Sequence, residues 1–372
     1  MPTNTAAWLV AKNATLEVKA APYTAPRANE IVVKNHAVAI NPIDWLKQRL
    51  GNAMYRWNKL PFVLGWDLAG EVVEVGADVR RFKVGDRVLG QAVGMDKKRN
   101  NPAEGAFQAY TVLLANLVAT IPSTMAYEDA AVLPLALSTA ACGLFQKDYL
   151  ALAHPSAQPL PTGKTLLIWG GSTSVGSNAI QLAVAAGYEV ITTCSPRNFG
   201  YVKELGATQA FDYNSTTVVD DVIKAFKGKT IAGALAIGAG SPEPCLDVVH
   251  ASTGNKFVAL ASPSVSVDEL ARNPRMGLKL PLLVLGLLRS TVSLQMKARG
   301  RKIRTNFING ATLMDNEVSK VIYEDFLPAA LSEGRYVAAP APYVIGTGLE
   351  YVQAGFDAHK KGVSAKKVVV SL

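Results

Sequence analysis

The stretch "TLLIWGGSTSVGSNAIQLAVAAG", residues 165–187, decides the fold. Its first half is apolar without alternation, as expected of a strand buried on both faces. Gly170 and Gly171 follow, then Ser172, Thr173 and Ser174, and Val175 and Gly176 open a segment of helical spacing that Gly187 ends. A buried strand turning through glycines into a helix offers unpaired backbone N–H groups and the positive end of a helix dipole to an anion. The glycines let the backbone close on a pyrophosphate. Thr173 stands where the G-x-G-x-x-G spacing has its middle glycine, so the motif alone is weak. Its setting between strand and helix supplies the rest. The alternative is an ordinary Gly/Ser-rich turn.

Working outward, "YEVITTCS" (188–195) reads as a strand and "NFGYVKELGA" (198–207) as a helix closed by Gly206. Further strands are expected at 233–238 and 255–262, with "STVSLQMK" (290–297) a possible last one. Apolar strands alternating with helices make a parallel sheet covered on both faces. A dinucleotide with a free ribose hydroxyl is usually gripped by an acid about twenty residues past the loop. Here "EVITTC" ends without one and continues Ser195-Pro196-Arg197-Asn198. A hydroxyl beside a guanidinium suits a 2′-phosphate, which Arg pairs bidentately. NADPH is therefore expected over NADH, against the alternative that Arg197 only faces solvent. Tyr213, after "QAFDY", either meets the adenosine end or packs in the core.

The first 120 residues differ in texture. Short alternating runs such as "EIVVKNHAVAI" (30–40) and "EVVEVG" (71–76), bounded by Gly, Pro, Asn or Asp, indicate an irregular antiparallel β-domain. Residues 126–153 look helical, with Pro134 a break or a new start. A helix at Asp325–Glu333 and a strand at Val368–Val370 cannot form a third core and are expected to return to the first domain. The expected domains are 1–128 with 311–372, and 129–310.

Composition bounds the function. Apolar residues at 49% and charged residues at 18% exclude disorder and allow large cores. The net charge of +9 fits nucleic acid, a membrane surface or an anionic cofactor. The one dense basic run, "KARGRKIR" (297–304), lacks interleaved aromatics, so nucleic acid is not expected. Three dispersed cysteines (Cys142, Cys194, Cys245) fit reduced thiols in the cytoplasm. The apolar run 278–288 is about half a membrane span and holds Pro281, so no membrane is expected.

"NPIDW" (41–45), "GWDLAGEVVEVGADVRRFKVGDRV" (65–88), "LPLALSTA" (133–140) and "GGSTSVG" (170–176) together resemble the medium-chain dehydrogenase/reductase superfamily over nearly the whole length. The resemblance implies an α/β protein, a GroES-like β-rich catalytic domain plus a Rossmann doubly wound parallel-sheet domain. Many members bind a catalytic zinc through a Cys near "NPID", a His in Gly-His-Glu and a later Cys. Asn41, Trp66 and roughly Leu135 stand at the corresponding places, and Asp67 at the glutamate's. None is a good zinc ligand, and no metal is expected.

Within the superfamily the chain is most similar to the zinc-free branch, quinone oxidoreductases and fungal trans-acting enoyl reductases. That implies zinc-independent, NADPH-dependent reduction of an activated C=C bond in an enoyl thioester or α,β-unsaturated carbonyl. Tyr55 lies where related enoyl reductases carry a functional tyrosine and is the candidate proton donor; otherwise it lines the pocket with Trp57. Asn41 and Asp44 either orient nicotinamide or substrate or cap the turn at Pro42. Thr139 is expected beneath the nicotinamide, and Gly171, Ser172, Thr173, Ser174, Val175 and Gly176 around the phosphates, with Ser195, Arg197 and Tyr213 beyond. The apolar segment 278–294 is an acyl slot, a subunit contact or ordinary core. An acyl carrier domain is a possible partner, and the protein a monomer or homodimer. A quinone oxidoreductase is the alternative enzyme; a non-catalytic NADPH-binding scaffold is the alternative of another class.

Overall fold

In the computed structural model, which describes residues 2–264 and 276–372 except the side chains of 276–284, the chain divides into two compact units. The first comprises Met1–Leu135 and Leu313–Leu372, the second Ala136–Thr312.

In the first unit the long strand Glu30–Ala39 organises a largely antiparallel sheet. One edge pairs with Asp67–Val75, Ala39 facing Asp67. The other edge is shared: Tyr110–Leu114 takes its first half and Lys366–Ser371 its second. Arg87–Gln91 adds beyond Asp67–Val75, bringing Gln91 opposite Asp67. The C-terminal strand thus lies inside the sheet, between Glu30–Ala39 and Ala341–Thr347. Val368, Val369 and Val370 are fully buried there. At Gly70 a Cβ would come within 2.0 Å of the Lys34 carbonyl, so this crossing of strands requires glycine.

The second unit holds a wholly parallel sheet, in the order Gln209–Asp212, Glu189–Cys194, Lys164–Trp169, Thr230–Ala236, Phe257–Leu260, Arg304–Phe307. Strand order reverses beside Lys164–Trp169, the switch point where open α/β sheets bind ligands. The strand expected at 290–297 is instead part of the helix Met276–Gly300. Leu294 and Ala298, four apart, are both buried in the core. Lys297 and Arg301, also four apart, both pair with Asp247. Contacts at that spacing select a helix over the local alternation, and the last strand follows at Arg304–Phe307. These pairs also occupy two of the cations in the basic run. Of the segment 278–294, side chains up to 284 lie outside the described residues; Leu285, Leu288 and Val292 are exposed.

The helix Pro242–Ala251 seals one face of this sheet through Leu246, Val248 and Val249. Leu246→Ala should cost about 2–5 kcal/mol, the range for a buried leucine whose cavity does not collapse. Urea denaturation of the second unit's transition measures it.

Candidate active site

The strand Lys164–Trp169 delivers the chain to Gly170, which sits at φ 92°, a conformation favouring glycine. The turn is closed from within. Thr173 donates its hydroxyl to the Gly170 carbonyl at 2.8 Å and accepts from the Gly176 N–H at 3.0 Å. It thereby caps the helix Ser174–Ala185. A Cβ on Gly176 would lie 2.2 Å from the Gly170 oxygen, and one on Gly171 would lie 2.1 Å from the Thr192 hydroxyl. The middle glycine of the usual spacing is replaced by a residue that supplies the cap. The cradle is shaped for close approach of a pyrophosphate, with Ser172, Ser174 and Val175 on its partly exposed rim.

Ser195 and Tyr213 follow paired strand ends, since Cys194 stands opposite Asp212 in parallel register. The Ser195 hydroxyl donates to the Tyr213 hydroxyl at 3.5 Å. Tyr213 is 48% exposed, so it belongs to this edge and not to the core. Arg197 is exposed in the turn Pro196–Asn198 that follows Ser195. Thr139, on the helix Pro134–Phe145, packs on Gly310, where a Cβ would meet its hydroxyl at 2.7 Å.

In the first unit Trp66 and Asp67 are both buried. The Asp67 carboxylate accepts from the Leu135 N–H at 2.6 Å and the Asn41 Nδ2 at 2.8 Å, and pairs with the Lys367 ammonium at 2.9 Å. Lys367 also donates to the Asn41 Oδ1, closing a ring of three side chains. Asn41 precedes the helix Pro42–Leu50, and its N–H donates to the Asp44 carboxyl at 2.8 Å. Burial, with Asp67 adding, pushes the Asp44 carboxyl up to about 8, so it is mainly neutral at pH 7. Asp44 therefore holds the helix start and Asn41 bridges Asp67 to Lys367.

Two family models match the chain: the alcohol dehydrogenase GroES-like domain over residues 27–123 and the zinc-binding dehydrogenase over 174–249. Over its full length and that of the relative, the chain is 56% identical to the dehydrogenase pigH of Monascus ruber. The chain belongs to the medium-chain dehydrogenase/reductase superfamily. It is 35% identical to the trans-enoyl reductase himH of Aspergillus japonicus, with 99% of this chain and 97% of that one covered. The fold matches the solved CurK enoyl reductase with a TM-score of 0.72 at 19% identity, covering 100% of this chain and 99% of that one. Membership makes this medium-chain dehydrogenase/reductase an oxidoreductase with a nicotinamide dinucleotide as redox partner. The glycine cradle fits that group.

A zinc ion does not fit the residues at the superfamily's ligand places. Asn41 is engaged at both ends of its amide, Trp66 offers an indole, and Leu135 turns a backbone N–H toward Asp67. Zinc is held by thiolate, imidazole or carboxylate, and the one carboxylate here is neutralised by Lys367. Among the described residues no three His, Cys, Asp or Glu side chains converge as a metal site.

Tyr55 lies in the first unit, between the short helix Gly51–Ala53 and the strand Phe62–Val63. It adopts φ 52°, left-handed and uncommon for a bulky residue. Its ring meets that of Trp57 at 5.2 Å. Burial, then Asp96 and Asp44, pushes its phenol well above the ordinary value, so it stays protonated at neutral pH. Lys367 was not singled out from sequence. Its only signal is a lysine inside an apolar strand, and its partners lie far off in the chain.

Lys367→Met should destabilise the protein by about 3–5 kcal/mol, because it leaves a buried carboxylate uncompensated. Adding Asp67→Asn should recover part of that loss. The new amide still accepts from Leu135, and the Asn41 amide is then free to turn over. Denaturant midpoints of both variants measure this.

Proposed function

We propose that this chain is a zinc-independent, NADPH-dependent reductase of an activated C=C bond, in an enoyl thioester or an α,β-unsaturated carbonyl. The observation that carries the reading is the closed Asn41–Asp67–Lys367 ring beside buried Trp66, where metal-dependent relatives hold their ion. Oxidising an unactivated alcohol without a Lewis acid is difficult. A conjugated alkene needs none, because its own carbonyl oxygen takes the developing negative charge. The likeness to a trans-enoyl reductase of 35% identity supports the same chemistry.

When bound, the dinucleotide supplies hydride to the β-carbon. The cradle Gly171–Gly176 would hold its pyrophosphate, with Thr173 fixing the turn. Ser195, Arg197 and Tyr213 would hold the 2′-phosphate, the exposed guanidinium being free to pair bidentately. Thr139 would lie against the nicotinamide. Tyr55 is the general acid of this reading: a phenol kept protonated by its surroundings delivers the proton to the α-carbon.

The test is steady-state turnover of NADPH with an enoyl thioester, an enone and a quinone. The enoyl thioester or enone should be preferred, and a zinc chelator should leave the rate unchanged. A preference for quinone, or loss of activity with the chelator, would overturn the reading. NADPH bound without turnover of any of the three would make the chain a scaffold.

Arg197→Ala should weaken NADPH by roughly 1.5–3 kcal/mol, the scale of a hydrogen bond to a charged group, and leave NADH nearly unchanged. Titration with both dinucleotides decides it, and equal losses would remove Arg197 from the phosphate.

A further inference from the structure

Lys47, on the helix Pro42–Leu50, is fully buried. Among the described residues no carboxylate pairs with it. Its ammonium instead donates into a cage of main-chain oxygens: Met54 at 2.8 Å, Tyr55 at 3.1 Å, and Gly51 and Asn58 at 3.2 Å. All four belong to residues 51–58, the segment that carries Tyr55 and Trp57. The arrangement is that of a small cation coordinated by carbonyls, with the cation tethered to the neighbouring helix.

The loop's other anchors lie away from Tyr55. The Trp57 indole donates to the Met95 carbonyl at 2.9 Å, and the Asn58 amide to Asn100 at 2.8 Å. At Tyr55 itself the backbone is left-handed. Its carbonyl accepts from the Asn58 N–H at 3.0 Å and from Lys47. The charge therefore acts on the peptide that sets the direction of the Tyr55 side chain.

We propose that Lys47 is a positioning residue, a built-in cation that fixes the 51–58 loop and with it the Tyr55 phenol and the Trp57 ring. The proposal rests on the reading of Tyr55 as proton donor and goes beyond it by naming what holds that donor. An ammonium has three N–H donors and no lone pair, so it reaches the four oxygens by sharing one N–H between two of them.

Ionisable groups around the cage do not replace it. Asp44, one turn back on the same helix, is buried and held by the Asn41 N–H. Asp96 acts on Tyr55. Lys12 packs its stem where a Cβ on Gly51 would stand, and Arg56 and Lys59 are exposed. Burial pushes the Lys47 amine down to about 8. A folded value below that of a free lysine means that the folded chain binds fewer protons than the unfolded chain between about 8 and 10.5. Global stability from this group therefore rises with pH across that window. Opening the loop returns the amine to water and to its free value, so by the same linkage a rise in pH favours the closed loop.

The experiment compares the full-length wild type, Lys47→Met and Lys47→Arg, each with NADPH bound. Amide hydrogen exchange over 52–59, kcat/KM on an enoyl thioester and NADPH affinity are measured together. Lys47→Met should lose loop protection and roughly tenfold or more in kcat/KM, as expected when a catalytic group is misplaced, with unchanged NADPH affinity. Lys47→Arg, which keeps the charge and the N–H donors, should recover part of both the protection and kcat/KM.

Wild-type protection in Lys47→Met, or protection in Lys47→Arg no better than in Lys47→Met, would overturn the proposal. Lost protection with unchanged kcat/KM would also overturn it, since the loop would then not serve the reaction. Absence of enoyl turnover in the wild type would sink the functional reading alone. The coupling of loop protection to Lys47 would then decide whether the clamp exists.

Discussion

The first unit is organised around one buried ion pair. Taking a carboxylate and an ammonium out of water costs several kcal/mol each, and Asp67 and Lys367 offset it only by being fully partnered. The Leu135 N–H and the Asn41 amide supply the partners. The pair therefore ties together the strand that begins at Asp67, the strand that carries Lys367, the start of the helix at Pro42 and the backbone before the second unit. It also satisfies the charge at this point, since any further cation at Asp67 would have to displace the ammonium. Trp66 fills the adjoining volume with an indole whose N–H has no partner among the described residues. The adjacency of a bulky aromatic and a carboxylate in "GWDLAG" is accounted for by a position where one side chain fills space and the next holds a charge.

The two units use different physics for their shapes. In the second, the loop after Lys164–Trp169 is fixed by what the backbone cannot avoid: Gly170 at positive φ, Gly171 and Gly176 where a Cβ would collide. Side chains add only the threonine cap. Such a turn keeps its form with or without charge nearby. In the first unit the shape depends on buried ionisable groups, Asp44, Lys47, Asp67 and Lys367.

Local patterns revealed the parallel sheet and its phosphate loop, because unbroken apolar strands and a glycine turn are written within some twenty residues. The edge at Ser195 and Tyr213 could be read for the same reason, as both follow strand ends. Within the helix at 276–300, residues 290–297 read as strand, because β-branched and polar residues alternate locally. The contacts of Leu294, Ala298 and Asp247 that favour a helix are tertiary. Asn41 and Asp44 were legible as a helix start, but not as part of a charged ring, since Lys367 is brought beside them only by the sheet. Lys47 gave no signal, because its partners are main-chain oxygens and any residue can supply those.

The placement of the strand Lys366–Ser371 inside the first sheet sets an order on biosynthesis. A ribosome makes Asp67 early, and the whole second unit is translated before Lys367 emerges. Until then the nascent first unit carries an unmatched carboxylate at its centre and an open seam along the second half of Glu30–Ala39. Its completion waits on residues made long after its beginning, so a prematurely terminated chain would expose a bare strand edge of the kind that chaperones and proteases recognise.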